Sequence, residues 1–311
     1  MNKRPAAIMS ALLTAAALTI TGCASNGPSS DSNSNANSTS NAGSTSSAAA
    51  NTTVDAAAAA LLPADIKSSG KLTIGVDPTY APNEYRDSSG KITGWDVDLF
   101  DAVAKRLGLT ADFQQATFDN ILPSVKGGRY NVGVSSFTDN AEREKQVDFV
   151  TYFSAGYQWA ARKGTSVNSA NPCGLTVATG VGTDEALHDI PDLSKQCVAD
   201  GKKPIKMLTY QTQDLTTESV VLGKADAMDA DSPVTGYAVE KTNGKLQLAG
   251  DVYQAAPYGV LMSKDAGTLK EALQKAIQSM IDDGTYKQIL TKWGVQAGAI
   301  TTAQINAASA G

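Results

Sequence analysis

From Lys71 to Val76 apolar and polar residues alternate, with Leu72, Ile74 and Val76 on one face, and this spacing predicts a strand. Asp77, Pro78 and Pro82 break the alternation, so a loop follows the strand end, the usual seat of ligand-facing residues. After Gly94, the residues Val97, Phe100, Val103, Ala104 and Leu107 recur at helical spacing and Gly108 stops them, completing one βα unit. Ile121, Leu122 and Val125 mark a short helix ended by Gly127 and Gly128. Val132 and Val134 then start a strand that runs into Ser135 and Ser136. A second set begins near Gly174, with Leu175 and Val177 in a strand, a loop over 180–184 and a helix from about Glu185. The stretch 220–225 reads as helical and 226–228 as a short strand, and Ser232 and Pro233 make Asp231 the opening of a turn. Leu269, Leu273, Ala276, Ile277 and Met280 share one face of a long helix, a shorter helix covers 285–293, and no internal repeat is evident. Strands alternating with helices imply an α/β fold with parallel sheets.

The ends of the chain read differently. Lys3 and Arg4 precede an apolar run over 8–20 that is too short to span a bilayer comfortably. The run closes in Ile20, Thr21, Gly22 and Cys23, which resembles the lipobox of bacterial lipoproteins. Residues 1–22 are therefore expected to be a signal peptide and Cys23 the lipidated first residue. An ordinary cleaved signal with an incidental cysteine is the alternative. Residues 23–60 are Ser, Asn, Ala and Thr with almost no large apolar side chain, so they are expected to be a disordered tether. Residues 301–311 are expected to be a flexible tail.

Composition bounds the partners. The chain has 311 residues, 42% of them hydrophobic, enough for two α/β domains with their own cores. Its formal charge of -5 comes from 31 acidic and 26 basic residues with no basic block, which argues against nucleic acid and against membrane contact beyond a lipid anchor. One histidine and three cysteines leave no material for a Cys/His metal cluster, and no cofactor is expected. Cys173 and Cys197 lie beyond the export signal, in an oxidising compartment, where a disulfide is the simplest account and two buried free thiols the alternative.

Arg143 sits between Glu142 and Glu144, shortly after Ser135, Ser136, Phe137 and Thr138. An arginine fork holds a carboxylate bidentately and hydroxyls at a strand end complete the pairing; a surface arginine paired with nearby acids is the competing account. Asp226, Asp229 and Asp231 cluster, but Asp229 and Asp231 share a face only if the strand continues, and the run lacks the glycine and late glutamate of a calcium loop. One carboxylate facing an ammonium is the economical reading. There is no nucleophile elbow and no Walker-type loop, and His188 has no partner, so a catalyst is not expected.

These residues align with a known pattern: the chain is similar to the bacterial extracellular solute-binding proteins of family 3, polar amino acid receptors of ABC importers, over about residues 70 to 295. The resemblance is carried by residues 94–99 (Gly-Trp-Asp-Val-Asp-Leu), by Arg143 followed by Val147, Asp148 and Phe149, and by Gly182 with Thr183. It extends to Lys224 through Pro233 and to the C-terminal Asp283, Gly284, Thr285, Tyr286 with Lys292, Trp293 and Gly294. It implies a two-domain periplasmic-binding-protein-like fold of type II, with 61–156 and 257–300 forming the first domain, 157–256 the second, and crossings near 155–158 and 254–258. It further implies that Arg143 grips an α-carboxylate, assisted by Thr138, by the backbone near Ser136 and by Thr183. Asp231 takes the α-ammonium, Tyr80 and Phe118 flank the side chain, and Asp77 lies near its tip. The implied partners are a free, polar amino acid and the permease subunits of an importer, and the protein would be a lipid-anchored monomer on the outer face of the membrane. A dehydratase-type enzyme and a ligand sensor on the same fold are the competing readings. Four positions depart from the pattern: Trp95 is larger than usual, Asn83 replaces an aromatic and would change the pocket wall, Asn140 replaces threonine, and Asp184 adds a charge beside the carboxylate site. Asp77 has a second reading, as a cap on the turn at Pro78.

Overall fold

The computed structural model describes residues 53–310, so the expected signal peptide, Cys23 and most of the expected tether lie outside the described residues. Lys71–Val76 forms as the alternation requires and pairs in parallel with Thr110–Gln115 on one side and Val132–Gly133 on the other. A second parallel set joins Ala227–Asp231, Thr176–Gly180 and Lys206–Tyr210. Two long strands connect the sets. Val147–Arg162, with 16 residues, runs antiparallel to Tyr253–Ser263, to Ala227–Asp231 and to Leu246–Leu248. The parallel sets are thus halves of one nine-stranded mixed sheet, and a separate three-stranded sheet, Thr79–Tyr80, Glu84–Arg86 and Ile92–Thr93, lies off it.

Each half has its own core. The first collects Leu72, Ile74, Trp95, Phe100, Tyr152 and Phe153 with Tyr258, Leu273, Ile277 and Leu290 from the C-terminal part of the chain, and Trp95 packs against Phe153 with ring centroids 4.5 Å apart and planes tilted by 38°. The second half packs Val220, Met228 and Val234 on one side of the sheet and Trp159, Val177, Ile190 and Ile205 on the other. There the Cys173–Cys197 disulfide, with Cα atoms 5.4 Å apart, ties the helix Ile190–Ala199 to the segment before Thr176–Gly180. Among the described residues, no helix is long and apolar enough to cross a membrane.

Where the long strands pass between the halves their pairing slips, between Tyr253 and Ala256, and Gln254 takes a left-handed φ of 49°. Gly156 lies there because nothing larger fits: a Cβ on it would stand 2.5 Å from the Tyr253 carbonyl oxygen. Gly94, before the helix Trp95–Arg106, is equally constrained, with φ 139° and a would-be Cβ 2.0 Å from the Asn83 oxygen.

Five expectations differ from the structure. The tether was expected to run to residue 60, but Ala56–Ala59 is a helix capped by the Asp55 carboxylate, and Ala58 is fully buried in the first core. Small side chains let one helix approach another closely, so burial does not require bulk here. The tail expected from 301 is docked instead. Gln304 exchanges hydrogen bonds with Thr151 at 2.8 and 2.9 Å, Ile305 bridges to Val150, and the Asn306 amide bonds Phe149 N and Asp148. The helix expected at 220–225 is Gln213–Val221, and the strand expected to stop at 228 continues to Asp231. Ser232 and Pro233 open the helix Ser232–Lys241 rather than a turn, since proline suits the first helical turn, where its missing N–H is not needed.

Candidate functional site

Strand ends and the loops after them converge on one cavity between the halves. Asp77, Tyr80, Phe118, Ser136, Thr138, Arg143, Thr183 and Asp231, all expected from the sequence to meet a ligand, line it, and so do Asp184 and Glu185. Asp77 to Arg143 come from the first half and Thr183 to Asp231 from the second.

Arg143 lies on the short helix Ala141–Glu144, whose start is fixed by the Asn140 side chain accepting from Arg143 N at 2.8 Å. Its guanidinium is buried and donates to two carbonyl oxygens, of Thr138 at 2.9 Å and Gly182 at 3.1 Å. It lies 5.5 Å from the centre of the Phe137 ring and 5.8 Å from that of Phe118, and these two rings are stacked. Among the described residues no carboxylate comes within ion-pair distance of it. Burial pushes its pKa down, while Asp184, Glu185 and Asp231 oppose that shift. A buried cation satisfied only by neutral carbonyls is a site arranged for an anion.

Asp231 stands at the end of its strand. Tyr80 Oη donates to its Oδ2 at 2.8 Å and accepts from its backbone N at 3.2 Å. Burial raises the Asp231 carboxyl to about 6. Asp77, on the first half, is likewise raised to about 6 by burial, against the hydrogen bonds it accepts, and its Oδ2 takes the Phe118 N–H at 3.0 Å. Asp77 therefore lines the cavity, caps the helix Phe118–Lys126, and also bonds the side chain and backbone of Thr79, the local role expected at the turn of Pro78. Ser136 has a left-handed φ of 54°, and its hydroxyl is used beneath the cavity, accepting from Asn83 Nδ2 at 2.8 Å and donating to Asp96 at 3.0 Å. Thr183 is turned by a bond to the Gly180 oxygen at 3.0 Å.

The departures from the family pattern have structural accounts. Asn83 does not form the pocket wall: it is fully buried, and its Oδ1 accepts from Trp95 Nε1 at 2.7 Å. The larger ring at 95 carries an N–H that needs an acceptor, and Asn83 supplies it, so these two departures belong together. Asp184 is held by Asn140 Nδ2 at 2.6 Å and by the Tyr157 hydroxyl. Asn140–Asp184, Arg143–Gly182 and Tyr80–Asp231 all join one half to the other across the cavity.

The profile of the bacterial extracellular solute-binding proteins, family 3, matches residues 72–296. The chain belongs to that family. This solute-binding protein is 40% identical over 249 residues, 79% of its length and 82% of the relative's, to the arginine-binding protein ArgT of Corynebacterium glutamicum. Among solved structures it is similar to an ancestral arginine-binding protein bound to arginine, with TM-score 0.67 and 31% identity, covering 72% of this chain and 98% of that one. It is also similar to an ancestral amino acid-binding protein described as a precursor of cyclohexadienyl dehydratase, with TM-score 0.63 and 30% identity, covering 74% and 97%. Its two-domain α/β fold is that of the type II periplasmic amino-acid-binding proteins.

Two features of the site were not among the ligand contacts expected from the sequence. Glu84 and Asp96 form a fully buried carboxyl pair under the cavity, reached by Ser135, Ser136 and Tyr152; burial raises Asp96 to about 7 and pushes Glu84 well above its usual value. Glu185, one residue past the run that was noticed, has 2% of its surface exposed and lines the cavity.

Proposed function

We propose that this chain is the substrate-binding component of an ABC importer, held at the outer face of the membrane by a lipid on Cys23, and that it captures a free amino acid with a polar side chain. The observation that carries this reading is the buried Arg143 guanidinium, without a carboxylate partner among the described residues, on the cavity that Asp231 also lines. A molecule bearing a carboxylate and an ammonium on one carbon complements that pair. In this reading Arg143, with Thr138, Thr183 and the backbone of Ser136, receives the α-carboxylate, Asp231 receives the α-ammonium, and Tyr80 and Phe118 flank the side chain. Asp77 meets the tip. Its raised carboxyl favours a cationic or amide group there, and the relatives described as arginine-binding lean the same way.

The domain division goes with this reading: 61–156 with 257–300 as one lobe, 157–256 as the other, opening about 155–158 and 254–258. The slipped pairing and the left-handed Gln254 at the crossing support a hinge there. Capture would close the lobes on the ligand and give the permease subunits a distinct shape to recognise. The receptor would act as a monomer.

A thermal-shift screen against the amino acids tests the proposal, since ligand at ~1,000 times its Kd adds roughly 4 kcal/mol to stability. Arginine or another polar amino acid is expected to raise Tm. Arg143→Ala and Asp231→Asn, still folded, are expected to weaken binding by about 2–5 kcal/mol, the loss typical of breaking a buried charge pair. No shift with any amino acid, or folded variants binding within a few-fold of wild type, would refute it.

A further inference from the structure

The turn that carries Arg143 rests, on the side away from the cavity, against the end of the chain. Asp139 and Glu144 flank Arg143 in that turn, and both are buried. Neither comes within ion-pair distance of the guanidinium. Asp139 Oδ2 instead accepts from Ala307 N, and Glu144 Oε1 from Ala308 N, each at 2.9 Å. The two acids also share a hydrogen bond, and the Arg143 charge acts on Asp139. The segment that supplies these N–H groups is anchored just before them, by Gln304 on Thr151, Ile305 on Val150, and Asn306 on Asp148 and Phe149. It lies beyond residue 296, where the match to the family ends. The helix Ala141–Glu144 is a single turn, too short to hold its own geometry, so its position is set by what it touches. On one side the strand Tyr253–Ser263 holds the turn: the Pro257 oxygen accepts from Asp139 N at 2.9 Å, and Thr138 bridges to Tyr258. On the other side it is held by the C-terminal segment.

We propose that residues 304–308 are a positioning element of the ligand site: by engaging Asp139 and Glu144 they hold the turn that presents Arg143 and keep two carboxylates off its guanidinium. The inference rests on the reading of Arg143 as the clamp for the α-carboxylate. A buried carboxylate that loses its N–H donor needs another, and the guanidinium is a strong donor within the same turn. Its fork can serve an acid of its own turn or the carboxylate of the ligand, so pairing with the first competes with the second. Ala307 and Ala308 act through backbone groups, and their methyl side chains therefore do not mark them as part of the site.

Calorimetric titration at about pH 8, above the value of about 7 to which burial raises Asp139, compares the full-length protein with a chain ending at Ala303. The shortened chain, shown to be folded by its melting curve, should bind arginine and glutamine about tenfold more weakly, by the same factor for both, since the two share the α-carboxylate and differ at the other end. Adding Asp139→Asn and Glu144→Gln should then recover at least about threefold of that loss in the shortened chain, and much less in the full-length one, where the acids are already engaged. A merely structural loss would not be recovered by removing charge from the turn. If the shortened chain does not fold, Ala307→Pro with Ala308→Pro deletes the two donors, leaves the anchors from Gln304 to Asn306, and is put through the same comparisons. Binding within about twofold of the full-length protein, a loss for one ligand and not the other, or neutralisation that helps both chains equally would overturn the proposal. A full-length protein that bound no amino acid would instead overturn the reading of the cavity, and this inference only through it.

Discussion

Replacing Asn83 by leucine keeps the side chain's size and removes both of its hydrogen bonds, in a place that water does not reach. The indole N–H of Trp95, 2.7 Å from Asn83 Oδ1, loses its acceptor, and Ser136 Oγ loses the Asn83 amide at 2.8 Å while keeping its bond to Asp96. An orphaned buried donor costs about 1–3 kcal/mol. The hydroxyl, left with one bond, adds less, and the sum is about 2–4 kcal/mol. For a chain of this size each kcal/mol moves Tm by about 2–4 °C, so Asn83→Leu should melt roughly 4–16 °C below wild type. Trp95→Phe is destabilising by itself, because it leaves a cavity and strands Asn83 Oδ1. In the double variant, however, neither polar group is left to be unsatisfied. A double-mutant cycle by chemical denaturation should therefore return a coupling of about 1–2 kcal/mol, with the double variant more stable than the two losses predict by addition. Additive losses, with coupling below about 0.5 kcal/mol, would refute the account of Asn83 and Trp95 as one matched pair.

Two further outcomes follow from the buried acids and the docked C-terminus. Burial raises Asp77 and Asp231 to about 6 in the folded chain, against 3.8 for an exposed aspartate, so the ligand-free folded state holds more protons than the unfolded one between about pH 4 and pH 6. Their contribution to stability is then present in acid and lost as pH rises through 6; Tm of the free protein should fall between pH 5 and pH 7.5, and a rising Tm over that interval would contradict their burial. Asn306→Ala removes the bonds to Phe149 N and to Asp148, and should lower stability by about 1–3 kcal/mol in denaturant titration; an unchanged midpoint would mean that the C-terminal segment does not hold the strand Val147–Arg162.

The residues alone point to less of the site than the family pattern does: the loop after Lys71–Val76 marks Asp77 and the hydroxyl run before Arg143 suits a carboxylate, but Arg143 is also open to a surface pairing and Asp231 to a turn, and it is the resemblance that gathers them on one ligand. Glu185 follows no strand end directly, and the acids whose charges act on it, Asp229 and Asp231, are distant in sequence. The helix Gln213–Val221 was misplaced for a related reason. Its buried side chains include Gln213, Thr216 and Ser219, so its inward face carries no apolar stripe, and its start is set by the Thr212 hydroxyl accepting from Leu215 N. The docking of 303–307 left no pattern because much of it runs through backbone groups, which every residue carries. Asn83 and Trp95 were each recognised as unusual; only their contact revealed that one explains the other.

The long strand Val147–Arg162 also sets an order of assembly. The buried members of the second core all lie between 159 and 249, one uninterrupted stretch, with Tyr80 and Tyr253 packed at its edges. The first core needs Tyr258, Leu273 and Leu290 as well as Leu72 and Trp95, and it cannot close until about a hundred intervening residues have been spanned. In loop-closure terms that wait is worth about 4 kcal/mol if the intervening chain is loose, and much less once the second core has drawn its two ends together. Early formation of the second core therefore shortens the search for the first. Until Tyr253–Ser263 arrives, one edge of Val147–Arg162 is left unpaired, and an exposed edge of this kind invites pairing with another chain. A nascent chain halted before residue 253 would carry that open edge in every copy.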